Sequence, residues 1–163
     1  MVMAFCFYQN FANKKPAIKV KQYSFNKHER LKSKKEIARL FSEGKTFRRS
    51  YIKTTYIVAE NEGFKENIKI KVAVSVPKKI FKRAVKRNLL KRRMREAYRL
   101  NKHILYDFLT EKNIHLSIFF VYLSSEIKTY ESIERNIKES LKKIKKDLLE
   151  GNVEQKKYEN EEN

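Results

Sequence analysis

The segment KRAVKRNLLKRRMREAYR, residues 82–99, narrows the choice of fold more than any other part of the chain. Nine of its eighteen residues are Lys or Arg, and Glu96 is its one acid. At helical spacing Leu90, Met94 and Ala97 form an apolar stripe. Asn88, Lys91, Arg92, Arg95 and Arg99 form a second stripe nearly opposite. A disordered basic tail has no reason to separate its residues in this way. The pattern predicts a helix docked by one face and basic on the other, and therefore a domain for it to dock on. A basic run on a helix is ordinarily a solvated face. Here its density, the scarcity of acids four residues away and its continuation into VPKKIFKR favour a phosphate-binding surface. Arginine also suits bidentate phosphate contact.

The rest of the chain agrees. Its 39 Lys and Arg against 19 Asp and Glu give a net charge of +20. Such an excess repels itself in a compact fold, so a polyanionic partner is expected. Nucleic acid fits best, and an anionic membrane surface is the weaker alternative. With 163 residues, 41% apolar and twenty aromatic, one domain with a real core is expected, and global disorder is excluded. Cys6 is the lone cysteine, which excludes an intrachain disulfide and a cysteine-based zinc site. His28, His103 and His115 are too scattered for a close-spaced metal pair and read as surface or half-buried imidazoles. No apolar run approaches bilayer length. MVMAFCFY lacks the basic start and cleavage site of a signal peptide. A cytoplasmic protein with no membrane contact is expected.

Residues 1–23 read as a mobile basic extension, 24–149 as the domain and 150–163 as a frayed polar tail. In SKKEIARLFSEG, Ser33 and Glu36 have capping-box spacing. Ile37, Leu40 and Phe41 recur at helical spacing, and Gly44 offers a left-handed stop. TFRRSYIKTTYIVAE (46–60) reads as a strand or bent strand pair, NEGFKEN (61–67) as a loop, and IKIKVAVSV (68–76) as a strand ended by Pro77. HLSIFFVYL (115–123) is a further strand, and Asp107 stands between helix and strand. Ile133, Ile137, Leu141, Ile144 and Leu148 mark a long amphipathic helix. The order α-β-β-α-β-α, with an extra strand possible in 46–60, places helices on a single sheet.

No catalytic constellation is found. Glu96 is expected in intrahelical ion pairs with Arg92 or Arg99. No pair of acids has two-metal spacing. With Gly44, Gly63 and Gly151 as the only glycines, no glycine-rich phosphate loop exists. Any chemistry is then carried by another molecule. Ile37 and Phe41 have two open roles, as core residues or as the lining of a groove where bases stack.

VAVSVPKKIFKRAVKRNLLKRRMREAYR resembles the signature region of the bacterial ribonuclease P protein subunit. That family shows a strand ending in Ser-Val, then Lys-Lys, a short loop, Ala-Val and Arg-Asn-Arg-x-Lys-Arg-x-x-Arg-Glu. Ser75-Val76, Lys78-Lys79, Ala84-Val85, Arg87-Asn88, Lys91-Arg92 and Arg95-Glu96 match in order. ERLKSKKEIARLFSEGK resembles the family's first helix. Leu89 departs from the pattern, standing where Arg is usual. The likeness covers about residues 25–145.

The resemblance implies an α/β (α+β) two-layer sandwich, with a sheet of about four strands and three main helices. It resembles a ribosomal-protein domain and carries the basic helix in a left-handed βαβ crossover, against the usual right-handed preference. The resemblance also implies the work: helping a catalytic RNA subunit remove the 5′ leader from precursor tRNA. The protein has no catalytic residue and binds no cofactor or metal of its own, while magnesium belongs to the RNA-containing holoenzyme. Partners are the RNA subunit and precursor tRNA, with no obligate protein partner. RNA binding is expected from Lys78, Lys79, Arg87, Asn88, Lys91, Arg92, Arg95 and Arg99. Of these, Arg87 flanks the main stripe. Ile37, Phe41 and Tyr56 are expected to line a leader-binding cleft. The alternative is a ribosomal or other structural RNA-binding protein with no part in cleavage. A DNA-binding reading lacks both a paired helix-turn-helix and sustained heptads.

Overall fold

Strand residues that pair across the sheet share a face, so the register decides what each side of this molecule can do. The computed structural model describes residues 24–59 and 68–161, with side chains to residue 150. The readings of 1–23 as a basic extension and of 61–67 as a loop lie outside the described residues. Four strands are described, β1 (Lys45–Arg49), β2 (Ile52–Ala59), β3 (Ile70–Ser75) and β4 (His115–Tyr122). Four α-helices accompany them, α1 (Lys34–Glu43), α2 (Ala84–Asn101), α3 (His103–Glu111) and α4 (Tyr130–Glu161). The sheet order is β1-β2-β4-β3, with β3 parallel to β4 and the other pairs antiparallel. β1 and β2 resolve the aromatic 46–60 stretch into a hairpin. Ser50 turns it with a φ of 46°.

One face of the sheet is sealed. Ile52, Ile70, Val72, Leu116, Ile118, Phe120 and Tyr122 point to it and are buried. They meet Leu90, Met94, Ala97 and Tyr98 of α2, Leu105, Phe108 and Leu109 of α3, and Ile133, Ile137, Leu141 and Ile144 of α4. The apolar stripes predicted for α2 and α4 are therefore the stripes that dock. Among the described helices, the other face carries α1. Phe41 on α1 lies against Phe119 on β4, with ring centroids 4.9 Å apart. Leu40 is fully buried beneath α1, apart from the main core.

Five expectations are corrected. Asp107 lies within α3, a helix the periodicity search passed over. α4 runs to Glu161, past the expected end at 149, because Gly151 is followed by polar residues that tolerate helix rather than by a stop. Gly44 is extended, with φ −73° and ψ 142°, and not left-handed. Glycine is needed there for space, since a Cβ would sit 2.2 Å from the Leu40 carbonyl oxygen. Only half of the capping box forms. Ser33 Oγ accepts from the Glu36 N–H at 3.4 Å, while the Glu36 carboxylate goes to Lys71 at 2.9 Å. His115 is buried, its Nδ1 3.1 Å from the Ile68 carbonyl oxygen.

Candidate nucleic-acid interface

The basic helix is held by one buried face. Leu90, Met94, Ala97, Tyr98 and Asn101 face inward and are buried. That orientation presents Asn88, Arg92 and Arg95 to solvent, with Lys91 and Arg99 half-buried at the flanks. Before the helix, Lys78 and Lys79 are exposed on a turn in which Pro77 accepts from the N–H groups of Ile80 and Phe81. Lys78 and Lys79 thus expose cations just before α2, and Arg92 and Arg95 expose cations along it.

Two arginines have structural work. Arg87 donates to the carbonyls of Phe81 at 2.8 Å and Lys82 at 2.6 Å, so it fastens the loop to the helix rather than standing in the exposed stripe. Its turn toward the loop follows from its place on the wheel, beside the buried residues. Arg93 donates to the Lys128 carbonyl at 2.6 Å, tying α2 to the segment before α4. Arg99 engages Glu96 through two hydrogen bonds, at 2.6 and 2.9 Å. This is the expected intrahelical ion pair, and the Arg99 hydrogen bond holds the Glu96 carboxyl below its usual pKa. Leu89 is 40% exposed and Val85 79% exposed, leaving an apolar patch on the cationic helix.

The α1 face of the sheet, where the leader-binding cleft is expected, has a different character. Phe41 is 50% exposed and rests on half-buried Phe119, and Ile37 is half-buried one turn away on α1. The pairing of Phe119 with Thr55 and Ala73 puts all three on this face. Lys53 and Val121 pair and lie further along it, and Lys71 and Ser117 lie the other way. Tyr56 is corrected. It pairs with Ile118, belongs to the sealed face and is 3% exposed. Its hydroxyl donates to Asp147 on α4 at 3.0 Å, and burial pushes its pKa well above the ordinary tyrosine range. A strand flips sides at every residue, so Thr55, one position earlier, takes the cleft side. Thr55 is fully buried and shares a 3.0 Å hydroxyl contact with Thr46 across the hairpin.

Phe119 was not foreseen as a cleft residue. The signal was present in the alternation of HLSIFFVY, where Ser117, Phe119 and Val121 share one side and Leu116, Ile118, Phe120 and Tyr122 the other.

Comparison with known proteins identifies the family. The family model described as Ribonuclease P matches residues 25–146. The chain belongs to that family. A ribonuclease P protein component of Porphyromonas gingivalis is 40% identical over 122 residues, covering 75% of this chain and 87% of the relative. That of Chlorobium phaeobacteroides is 36% identical over 116 residues, covering 68% and 79%. Among solved structures, the ribonuclease P protein of Thermotoga maritima superposes with a TM-score of 0.55 at 21% identity, covering 70% of this chain and 96% of that one. The Staphylococcus aureus protein gives 0.54 at 22%, covering 72% and 95%. These structural likenesses support the family's α+β fold for this chain. No helix among the described residues is long and apolar enough to cross a membrane.

Proposed function

We propose that this protein is the RNA-binding subunit of a ribonuclease P ribonucleoprotein. It assists a catalytic RNA subunit in removing the 5′ leader of precursor tRNA in the cytoplasm. The observation that carries the reading is the placement of the ordered signature. Lys78 and Lys79 are exposed on the turn, and Asn88, Arg92 and Arg95 are exposed on α2 with Lys91 at their flank, opposite a buried apolar stripe; this supports an RNA-facing role for them. Family membership weighs against a ribosomal or purely structural role.

The division of labour follows from the chemistry of the two surfaces. The α2 surface, with Arg99 at its flank, offers guanidinium and ammonium groups to the phosphates of the folded RNA subunit. Arg87 acts there by holding the loop that carries Lys78 and Lys79. The α1 face offers Ile37, Phe41 and Phe119 as a platform for unpaired bases, with Lys53 on the same sheet face for the backbone. Stacking accepts any base, which suits leaders of varied sequence. Magnesium ions and bond cleavage belong to the RNA-containing complex, and the protein contributes binding.

The test adds the purified protein to its cognate RNA subunit and a precursor tRNA at low magnesium. Cleavage at the leader junction is expected to rise with protein concentration. No gain in cleavage would defeat the reading. In the same assay, replacing Lys91, Arg92 and Arg95 by Ala is expected to weaken binding of the RNA subunit and flatten its salt dependence, because fewer counterions are released. Circular dichroism is expected to stay native, since Ala favours helix.

A further inference from the structure

A concavity of about 530 Å³ lies where the chain enters the domain, bordered by Phe25, Arg30, Arg92, Arg95, Arg99 and Tyr130. It draws cations from two parts of the chain that the sequence keeps sixty residues apart. Arg30 follows a short 3₁₀ turn, Lys27–Glu29, and its backbone bridges to Val72 on β3. The turn is anchored by a buried ion pair in which Lys102 Nζ lies 2.9 Å from Glu29 Oε1 and also donates to the Ser24 carbonyl. Arg30 is thus held in a fixed place beside α2, its guanidinium carbon 5.5 Å from the Phe25 ring centroid. Phe25 in turn packs edge-on against Tyr98 at 5.6 Å.

The charges of this concavity are not balanced from within. Glu96 is the acid on its wall, and it is engaged by Arg99. Among the described residues no carboxylate pairs with Arg30, Arg92 or Arg95. Tyr130 lines the same wall, and its hydroxyl is buried with no hydrogen-bond partner among the described residues. Five arginines line the hollow, Arg93 being held by the Lys128 carbonyl and Arg99 by Glu96. The other three guanidiniums repel each other unless an anion joins them, and planar guanidinium is the group that matches phosphate oxygens best. Arg30 also lines a second concavity, with Lys27, Lys32 and Lys71, at the start of α1 on the cleft side.

We infer that Arg30, with Arg92 and Arg95, forms a phosphate-binding pocket that grips RNA backbone between the leader cleft and the α2 surface. The inference rests on the RNA-binding reading above and adds a contact outside α2 to it. The phosphate belongs either to the RNA subunit or to the precursor, and the chemistry of the pocket is the same for both.

The experiment measures affinity of the full chain for the cognate RNA subunit across a salt series, and then affinity of the assembled complex for precursor tRNA. Arg30→Gln keeps the backbone bridge to Val72 and removes the charge. It is expected to weaken one of these steps about five- to tenfold and to lower its salt slope by about one. Loss at the first step assigns the phosphate to the RNA subunit, and loss at the second alone assigns it to the precursor. Arg30→Lys, which keeps the charge without the fork, is expected to fall between. Lys146→Gln, at an exposed position of α4, removes one charge elsewhere and is expected to change either step less than twofold. Wild-type binding with Arg30→Gln unchanged, or equal losses for Arg30→Gln and Lys146→Gln, would overturn the pocket and leave the parent reading intact. A wild-type chain that binds neither RNA would overturn both. Thermal melts guard against a folding artefact, since a loss of affinity in a chain with native melting belongs to the pocket.

Discussion

Along β4, Leu116, Ile118, Phe120 and Tyr122 are all 0% exposed, while Phe119 and Val121 between them remain half-open. The two sets differ in what lies over them. The first packs in one apolar cluster with buried residues of α2, α3 and α4. The second is covered by α1, a ten-residue helix that buries Leu40 and leaves Phe41 half in solvent. Sealing an aromatic ring stabilises a fold, and leaving one exposed beside lysines makes it available to a base. One strand therefore seals its side chains on one side and leaves ring surface open on the other.

Substitutions can break this contrast, and the largest effect is expected on the sealed face. Phe120→Ala is expected to cost about 3–5 kcal/mol, from lost transfer free energy plus a cavity. Phe119→Leu, its neighbour on the cleft side, is expected to cost less than about 1.5 kcal/mol, because the volume change is small and the site is half-open. Urea denaturation of both variants checks the pair. Similar losses would show that the cleft face is ordinary core.

A second test strikes the ion pair that positions the chain entry. Lys102→Met leaves Glu29 buried without its cation and is expected to cost about 3 kcal/mol, at the lower end for breaking a buried pair. Adding Glu29→Gln to that variant is expected to restore part of the loss, since no buried charge then stands alone. A double variant as unstable as the single one would argue that packing, not charge, holds the turn.

Binding sharpens the comparison further. Phe41→Leu is expected to lower affinity of the complex for precursor with a leader of several nucleotides by about 1–3 kcal/mol per lost stacked base. Affinity for mature tRNA is expected to stay unchanged. Equal losses for the two ligands together with a lower melting temperature would place Phe41 in the core instead.

The smallest effect concerns pH. Burial, with help from the nearby Lys69 charge, lowers the pKa of His115 from 6.5. The folded chain holds this ring neutral where the unfolded chain takes up a proton. Its contribution is complete above pH 6.5 and is lost as pH falls from there toward the folded value. Urea midpoints between pH 7.5 and 5 are expected to fall more steeply for wild type than for His115→Gln. Parallel curves would remove His115 from the account.

The sequence by itself determined the elements with strong one-sided patterns. α2 and α4 were legible because each buries one stripe and wets the rest, so their residues sort by polarity. The start of α1 was legible in Ser33, and the signature fixed the family. Tertiary structure decided what carries no such contrast. Thr54, Thr55 and Tyr56 are successive residues of β2, and all are at most 3% exposed because both sides of that strand are covered. Polarity does not say which of them faces α1, and where the resemblance puts Tyr56 on that side the register puts Thr55. α3 was missed although Ile104 and Phe108, like Leu105 and Leu109, stand four apart. One residue, Lys102, separates it from α2, and no side-chain cap marks its start. The roles of Gly44, Arg87 and Arg93 rest on distances to carbonyl oxygens, in Gly44's case one turn away. Spacing along the chain records which faces exist, and the packing of one element on another decides what each face meets.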